Sequence, residues 1–195
     1  MSQLKTTKVY LGDSATLANN FQISVPATPD GTLTLERGDG TDVLTVDATG
    51  GVSQKGSVDG VAVASGKIGE VLTASLAIGS AVSLTTNTAV NIAAISLPAG
   101  KWRVSAPRGR FLPAATTSIT QMVVCVSNTS STLSDLCQCI VTQAASVSGT
   151  GEKCVVGSAG YINITSPTTY YIVVRATFTV STLTVYGDVT FERVA

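Results

Sequence analysis

The chain contains no histidine. That removes the side chain that most often serves as general base, and most often as metal ligand, near neutral pH. Charge is scarce as well. Lys and Arg number 12 and Asp and Glu 12, together 12% of 195 residues, about half the usual ~25%. The two signs cancel, and no basic stripe of the kind that binds nucleic acid is present. No run of about 18 apolar residues occurs, so membrane insertion is not expected. The opening Met1-Ser2-Gln3-Leu4-Lys5-Thr6-Thr7-Lys8 is polar. It lacks the apolar core of a secretory signal, so assembly in a cytoplasm is the expectation.

What is present is apolar and β-branched. Hydrophobic residues make up 44% of the chain, near the globular norm, and the length suffices to bury a core without staples. A compact monomer of 19.8 kDa exposes roughly 8,600 Å², a large area for so few charges. Two sources of cover are expected to act together. Ser and Thr solvate part of it, as in the cluster Thr116, Thr117, Ser118 and Thr120. Burial in an oligomer removes the rest.

Short runs with a period of two, separated by turn residues, predict an all-β chain. Phe21, Ile23 and Val25 alternate with Gln22 and Ser24. Pro26 to Gly31 reads as a loop and turn, Leu33 and Leu35 as a second strand, Gly38-Asp39-Gly40 as a turn, and Leu44 and Val46 as a third strand ended by Thr49-Gly50-Gly51. Strands this few are marginal alone, so residues 1–50 are expected to form a small N-terminal β region that leans on a neighbour. Residues 51–70, rich in Gly and Ser, read as a linker or extended arm. From residue 71 to 195 the pattern strengthens. Runs are expected at Val71–Ile78, Val82–Leu84, Val90–Leu97, Lys101–Pro107, Ile119–Val126, Tyr161–Ile164, Tyr170–Val180 and Leu183–Val194, with an irregular stretch at Ser127–Ala159. About eight such strands predict an antiparallel β-sandwich, jelly-roll-like in its closure.

Few residues invite chemistry. Cys125, Cys137, Cys139 and Cys154 lack the Cys-x2-Cys spacing and histidine partners of a zinc site, and read as buried free thiols. The tripeptide Arg37-Gly38-Asp39 matches a receptor-binding motif in only three letters, and Gly38-Asp39-Gly40 is better explained as a turn between two strands. The carboxylates beyond the linker are Glu70, Asp135, Glu152, Asp188 and Glu192. They are scattered singly and predict no acid pair for glycoside hydrolysis. No catalytic, cofactor-binding or metal-binding residue is assigned, and no cofactor is expected. Trp102 is expected in the core. Tyr170 and Tyr171 point to opposite faces of one strand, so one of them is expected outside. Arg108 and Arg110 form a small basic pair near a turn. Tyr170, Tyr171, Arg108 and Arg110 are the candidate receptor-facing residues.

Two sets of residues carry a resemblance. Residues 20–38, with Asn20-Phe21-Gln22-Ile23-Ser24-Val25-Pro26 and Pro29-Asp30-Gly31, followed by residues 42–50, resemble the N-terminal region of tailed-bacteriophage tail-fibre and related virion proteins. Residues 80–89, 95–102 and 178–187 resemble a β domain carried by many phage structural proteins. The resemblance implies a non-enzymatic virion protein, assembled in the host cytoplasm, that forms a homotrimeric tail or head fibre. Its N-terminal part would dock on other virion proteins, a tail adaptor or the capsid. Its C-terminal sandwich would face a host-surface glycan or protein and serve adsorption. The chain is short for a host-recognition fibre, which favours a capsid decoration or cement role as the alternative. A carbohydrate-active spike enzyme is the second alternative.

Overall fold

The structure is a computed structural model, and it describes residues 8–12, 15–16, 20–24, 32–38, 42–46, 52–54, 62–148 and 150–195. The turns expected at Pro26–Gly31 and Thr49–Gly51, most of that at Gly38-Asp39-Gly40, and the middle of the 51–70 stretch lie outside these residues. The chain divides into two compact units, Met1–Val61 and Ala62–Ala195. Among the described residues no helix is long and apolar enough to cross a membrane.

The N-terminal unit is a five-stranded antiparallel meander. Its strands are β1 (Lys8–Leu11), β2 (Phe21–Ser24), β3 (Leu33–Arg37), β4 (Asp42–Val46) and β5 (Val52–Gln54). The last of these occupies the start of the stretch read as a linker. The register pairs Val9 with Ile23, Leu11 with Phe21, Ile23 with Leu35, Leu35 with Leu44, and Leu33 with Val46. Period-two alternation therefore gathers the apolar residues of four strands on one face. The other face carries Gln22, Ser24 and Glu36, and Glu36 accepts hydrogen bonds from both of the others. Gln22 and Ser24 are buried, whereas Val9, Leu11, Phe21, Ile23 and Leu33 are 37–48% exposed.

The second unit holds β6 (Val71–Leu76), β7 (Val82–Ser83), β8 (Val90–Leu97), β9 (Gly100–Val104), β10 (Arg108–Pro113), β11 (Ser118–Ser127), β12 (Cys139–Ser148), β13 (Lys153–Val156), β14 (Gly160–Ile164), β15 (Thr168–Thr179) and β16 (Leu183–Arg193). They form a seven-stranded and a four-stranded antiparallel sheet. Three breaks in the larger sheet are local. Strands β6 and β7 lie end to end along one side of β16, β9 and β10 along its other side, and β13 and β14 beyond those. Joined across these interruptions, β6–β16 make eight strands. First pairs with last, second (β8) with seventh (β15), third with sixth, and fourth (β11) with fifth (β12). One long hairpin whose arms wrap into two packed sheets is a jelly roll.

Burial follows the pleat. Leu183, Val185, Val189 and Phe191 of β16, Trp102 and Val104 of β9, and Phe111 of β10 point into the sandwich. They meet Leu97, Ile119, Val124, Val126, Ile172 and Val174 of the other sheet. Trp102, Phe111 and Phe191 are fully buried, and each contributes about 1.5–3 kcal/mol through removal from water. Trp102 keeps its indole N–H satisfied by the Pro98 carbonyl at 3.1 Å.

Two expectations are corrected. The stretch 127–159 is not irregular throughout, since it contains β12 and β13. Edge position explains the miss. Each pairs with one sheet neighbour only, and an edge strand needs no continuous apolar run. Arg108-Gly109-Arg110, read as a basic pair near a turn, opens strand β10. Gly109 there faces Gly187 of β16, a close backbone approach that the sequence shows only as a glycine between two cations.

Candidate functional site

Strand β16 positions the site. Its odd-numbered residues enter the core, so Tyr186, Asp188, Thr190 and Glu192 stand on the outer face of the seven-stranded sheet. The register sets Arg108 of β10 opposite Asp188, Arg110 opposite Tyr186, and Arg103 of β9 opposite Glu192. Cross-strand neighbours on one face lie within side-chain reach, and these pairs bond. Arg108 Nε donates to Asp188 Oδ1 at 2.8 Å, and its Nη2 donates to Oδ2. Arg103 pairs with Glu192. Arg110 Nη1 donates to Glu152 Oε1 at 3.1 Å, while the Tyr186 hydroxyl donates to Glu152 Oε2 at 2.6 Å. The Arg110 guanidinium lies over the Tyr186 ring, 5.7 Å from its centre. Hydrogen bonding and attraction to Asp188 hold the Arg108 pKa above its ordinary value.

Two depressions flank the Arg108–Asp188 pair. The first, about 280 Å³, is lined by Ser75, Leu76, Tyr186 and Gly187 among others. The second, about 350 Å³, is lined by Ser105, Ala106, Val156 and Thr190 among others. Both include Arg108 and Asp188 in their walls. The two depressions, with the ion pair they share as a common wall, are taken together as the groove.

The structure separates the four candidate residues. Arg108 and Arg110 stand side by side on this face. Tyr170 does not face outward: it is buried and packs its ring against Phe191 at 6.3 Å, and burial pushes its hydroxyl pKa up. Tyr171, half-buried, lies on β15 in the other sheet. Alternation decided both tyrosines, since β15 turns Tyr170, Ile172, Val174 and Ala176 to the core. Tyr186, Asp188 and Glu152 are the site residues that sequence reasoning missed. Tyr186 and Asp188 were legible as outward positions of the last strand, but nothing local paired them with Arg110 and Arg108.

Glu70, Glu152, Asp188 and Glu192 are each bonded to a different arginine. Among the described residues no group of His, Cys, Asp or Glu could hold a metal ion. All four cysteines are free. Cys125 and Cys137 are buried, but Cys139 is half-buried and Cys154 exposed, which corrects the expectation of uniformly buried thiols. Cys154 sits on edge strand β13 opposite Arg110, on the solvent side of the sheet.

The fold and this face define the second unit as a jelly-roll β-sandwich with a grooved polar outer sheet. No protein-family model matches the chain, and no curated protein matches it significantly. Solved structures of infectious bursal disease virus are among those the chain is similar to. The chain is similar to one from the Gt strain at 11% identity and a TM-score of 0.42, covering 95% of this chain and 50% of that one. It is similar to one from the Gx strain at 9% identity and a TM-score of 0.41, covering 92% and 46%. The chain thus spans about half the length of the structures it matches.

Proposed function

We propose that this chain is a non-enzymatic structural protein of a tailed-bacteriophage virion. In this reading it is a short trimeric tail or head fibre, attached through its N-terminal unit, whose sandwich contributes to adsorption on the host surface. The observation that carries the reading is the exposed apolar face of the N-terminal sheet. Five large apolar side chains there, Val9, Leu11, Phe21, Ile23 and Leu33, are 37–48% exposed, and exposed apolar residues gathered on one face, rather than scattered singly, are what points to an interaction surface. Further copies of the chain are the occupant. The centre of the face is uncharged, so like faces meet without repulsion, and a closed ring leaves none uncovered. The low overall charge supports burial between copies. The resemblance of residues 20–38 and 42–50 to tail-fibre N-termini supports the virion setting and the threefold state. The dispersal of four carboxylates onto four arginines supports a binding role over glycoside hydrolysis, which needs a carboxylate pair.

Light scattering on the purified full chain tests the proposal. The expected mass is three times 19.8 kDa, and Ile23→Lys, which places a charge in the apolar face, is expected to shift it to the monomer while the β spectrum persists. A wild-type monomer at micromolar concentration would sink the fibre reading. Electron cryomicroscopy of the particle then separates fibre from cement. Protruding trimers on the tail or at capsid symmetry axes fit the proposal, and density lying flat across capsomer junctions replaces it with capsid decoration.

A further inference from the structure

We propose that the groove across the outer face of β16 is a binding site for a neutral, hydroxyl-rich oligosaccharide. The inference deepens the adsorption half of the reading above and rests on it. Ion pairs as exposed as Arg108–Asp188 and Arg110–Glu152 add little to stability, yet register sets Arg108 opposite Asp188 between the two depressions, and Arg110 lines the first of them.

The groove has the shape for a chain of linked rings. Two depressions of about 280 and 350 Å³ share one ion pair as a common wall, each near the small end of ligand-sized cavities. A linear ligand would lie across the pair with one part on each side.

Charge selects against ions. Arg108 is matched by Asp188 and Arg110 by Glu152. An anion would have to compete with those carboxylates, and a cation with those guanidiniums. A neutral ligand meets neither penalty.

Hydrogen-bonding capacity selects hydroxyls. A guanidinium carries five N–H donors and a carboxylate about four acceptor sites. Arg108 spends Nε and Nη2 on Asp188, which leaves Nη1 for a ligand, and each Asp188 oxygen retains accepting capacity. Donors and acceptors thus stand side by side. A hydroxyl accepts from one and donates to the other at once, and charge-assisted bonds of this kind are the strong ones. The exposed Ser75 adds another hydroxyl at the rim.

The remaining wall is apolar. Val156, 49% exposed, sits opposite Arg108 in the register and lines the second depression with Ala106. Leu76 lines the first. These surfaces suit the C–H faces of a sugar ring. The polar groups are carried on paired strands, so the site is held in place before a ligand arrives.

The test is binding of the full chain, as purified, to a panel of neutral hexose and N-acetylhexosamine oligosaccharides and of sialylated and uronate-bearing ones. At least one neutral oligosaccharide is expected to bind, with an affinity that does not fall as salt rises. Asp188→Ala is expected to weaken it by about tenfold or more, the scale of a lost bond worth 1.4 kcal/mol. Ser75→Trp fills the first depression from an exposed position on edge strand β6, substitutes no member of either ion pair, and is expected to abolish binding. Light scattering and thermal unfolding on the same samples report assembly and fold. A wild-type trimer that binds no neutral oligosaccharide, or only acidic ones, overturns the groove assignment and leaves the fibre reading standing. So does binding that survives Ser75→Trp. A wild-type monomer overturns the fibre reading, whatever the groove binds.

Discussion

Glu70 and Arg193, 123 residues apart, form an ion pair inside the protein, with Arg193 Nε donating to Glu70 Oε2 at 2.9 Å. Glu70 is 3% and Arg193 5% exposed. The pair is fully housed. Arg193 also donates from Nη1 to the Ala99 carbonyl at 2.7 Å, and its guanidinium lies over the Trp102 ring at 4.4 Å. Glu70 accepts from the Gly66 backbone N–H at 2.8 Å. Glu70 immediately precedes the first strand of the sandwich and Arg193 ends the last, so the pair fastens the two ends of the jelly roll together.

Removing one partner leaves a buried charge uncompensated, which costs about 3–5 kcal/mol. Glu70→Ala is therefore expected to lower the unfolding free energy of the sandwich by that amount, read as a fall in the urea midpoint. Replacing both residues with apolar ones is expected to recover much of the loss. A Glu70→Ala midpoint within error of wild type would show that the pair does not fasten the fold.

The same pair gives the sandwich a pH dependence. Burial acts to raise the Glu70 carboxyl, but hydrogen bonds from Gly66, Arg193 and Ser65, with the attraction of Arg193, outweigh it and hold the pKa below its ordinary 4.5. A pKa depressed on folding contributes stability above the unfolded value and loses it as pH falls through the folded one. Stability is expected to fall as pH drops below about 4.5, and Glu70→Gln is expected to flatten that part of the curve. Urea midpoints between pH 3 and 7 read the difference directly.

Gly187 holds β16 against β10. A Cβ there would stand 1.9 Å from the Arg108 carbonyl oxygen, a backbone atom that cannot swing aside. Gly187→Ala is expected to push the two strands apart at the groove and to cost at least about 2 kcal/mol, well beyond an ordinary surface change. It should also lower glycan affinity without touching a groove side chain. Thermal unfolding and the binding assay, run together, check both effects.

The cysteines predict a graded thiol reactivity. Cys154 is exposed, while Cys125 and Cys137 are buried and burial pushes their thiol pKa values up. Since the thiolate is the reactive form, a thiol reagent at neutral pH is expected to label Cys154 first, and Cys125 and Cys137 only after denaturation. Mass spectrometry of the labelled peptides identifies the order. Rapid labelling of Cys125 in the folded chain would contradict its place in the sheet.

Much of the sandwich was legible because one-sided burial writes a period of two into the chain. Trp102 and Val104, Val90 to Leu97, and the apolar run Ile119–Val126 all lie in the strands expected of them. Strands β10 and β12 were not. Strand β10 is short, carries two arginines and a glycine, and is held as a strand by β16 and β13. Strand β12, at a sheet edge, pairs with β11 alone, so nothing required a strong apolar signal. Of the candidate site, Arg108 and Arg110 were found as a pair of cations, but the tyrosines chosen beside them belong elsewhere. Residues 170 and 171 differ in sheet face, and both differ in sheet from the arginines.

The sequence by itself determined the class of structure: β-branched alternation of period two, punctuated by turn residues, predicts an all-β chain closed as a sandwich. Alternation also determined which side of each strand is apolar, and so that the N-terminal sheet would own one apolar face. Only the tertiary structure decided which outward residues meet. Arg108 and Asp188 are 80 residues apart, and no local rule joins them. Their contact is set by the register of β10 on β16, and that register follows from how all eight strands pack around Trp102, Phe111 and Phe191. A side chain's face is a local property of its strand, but its neighbour across the sheet is a property of the whole fold.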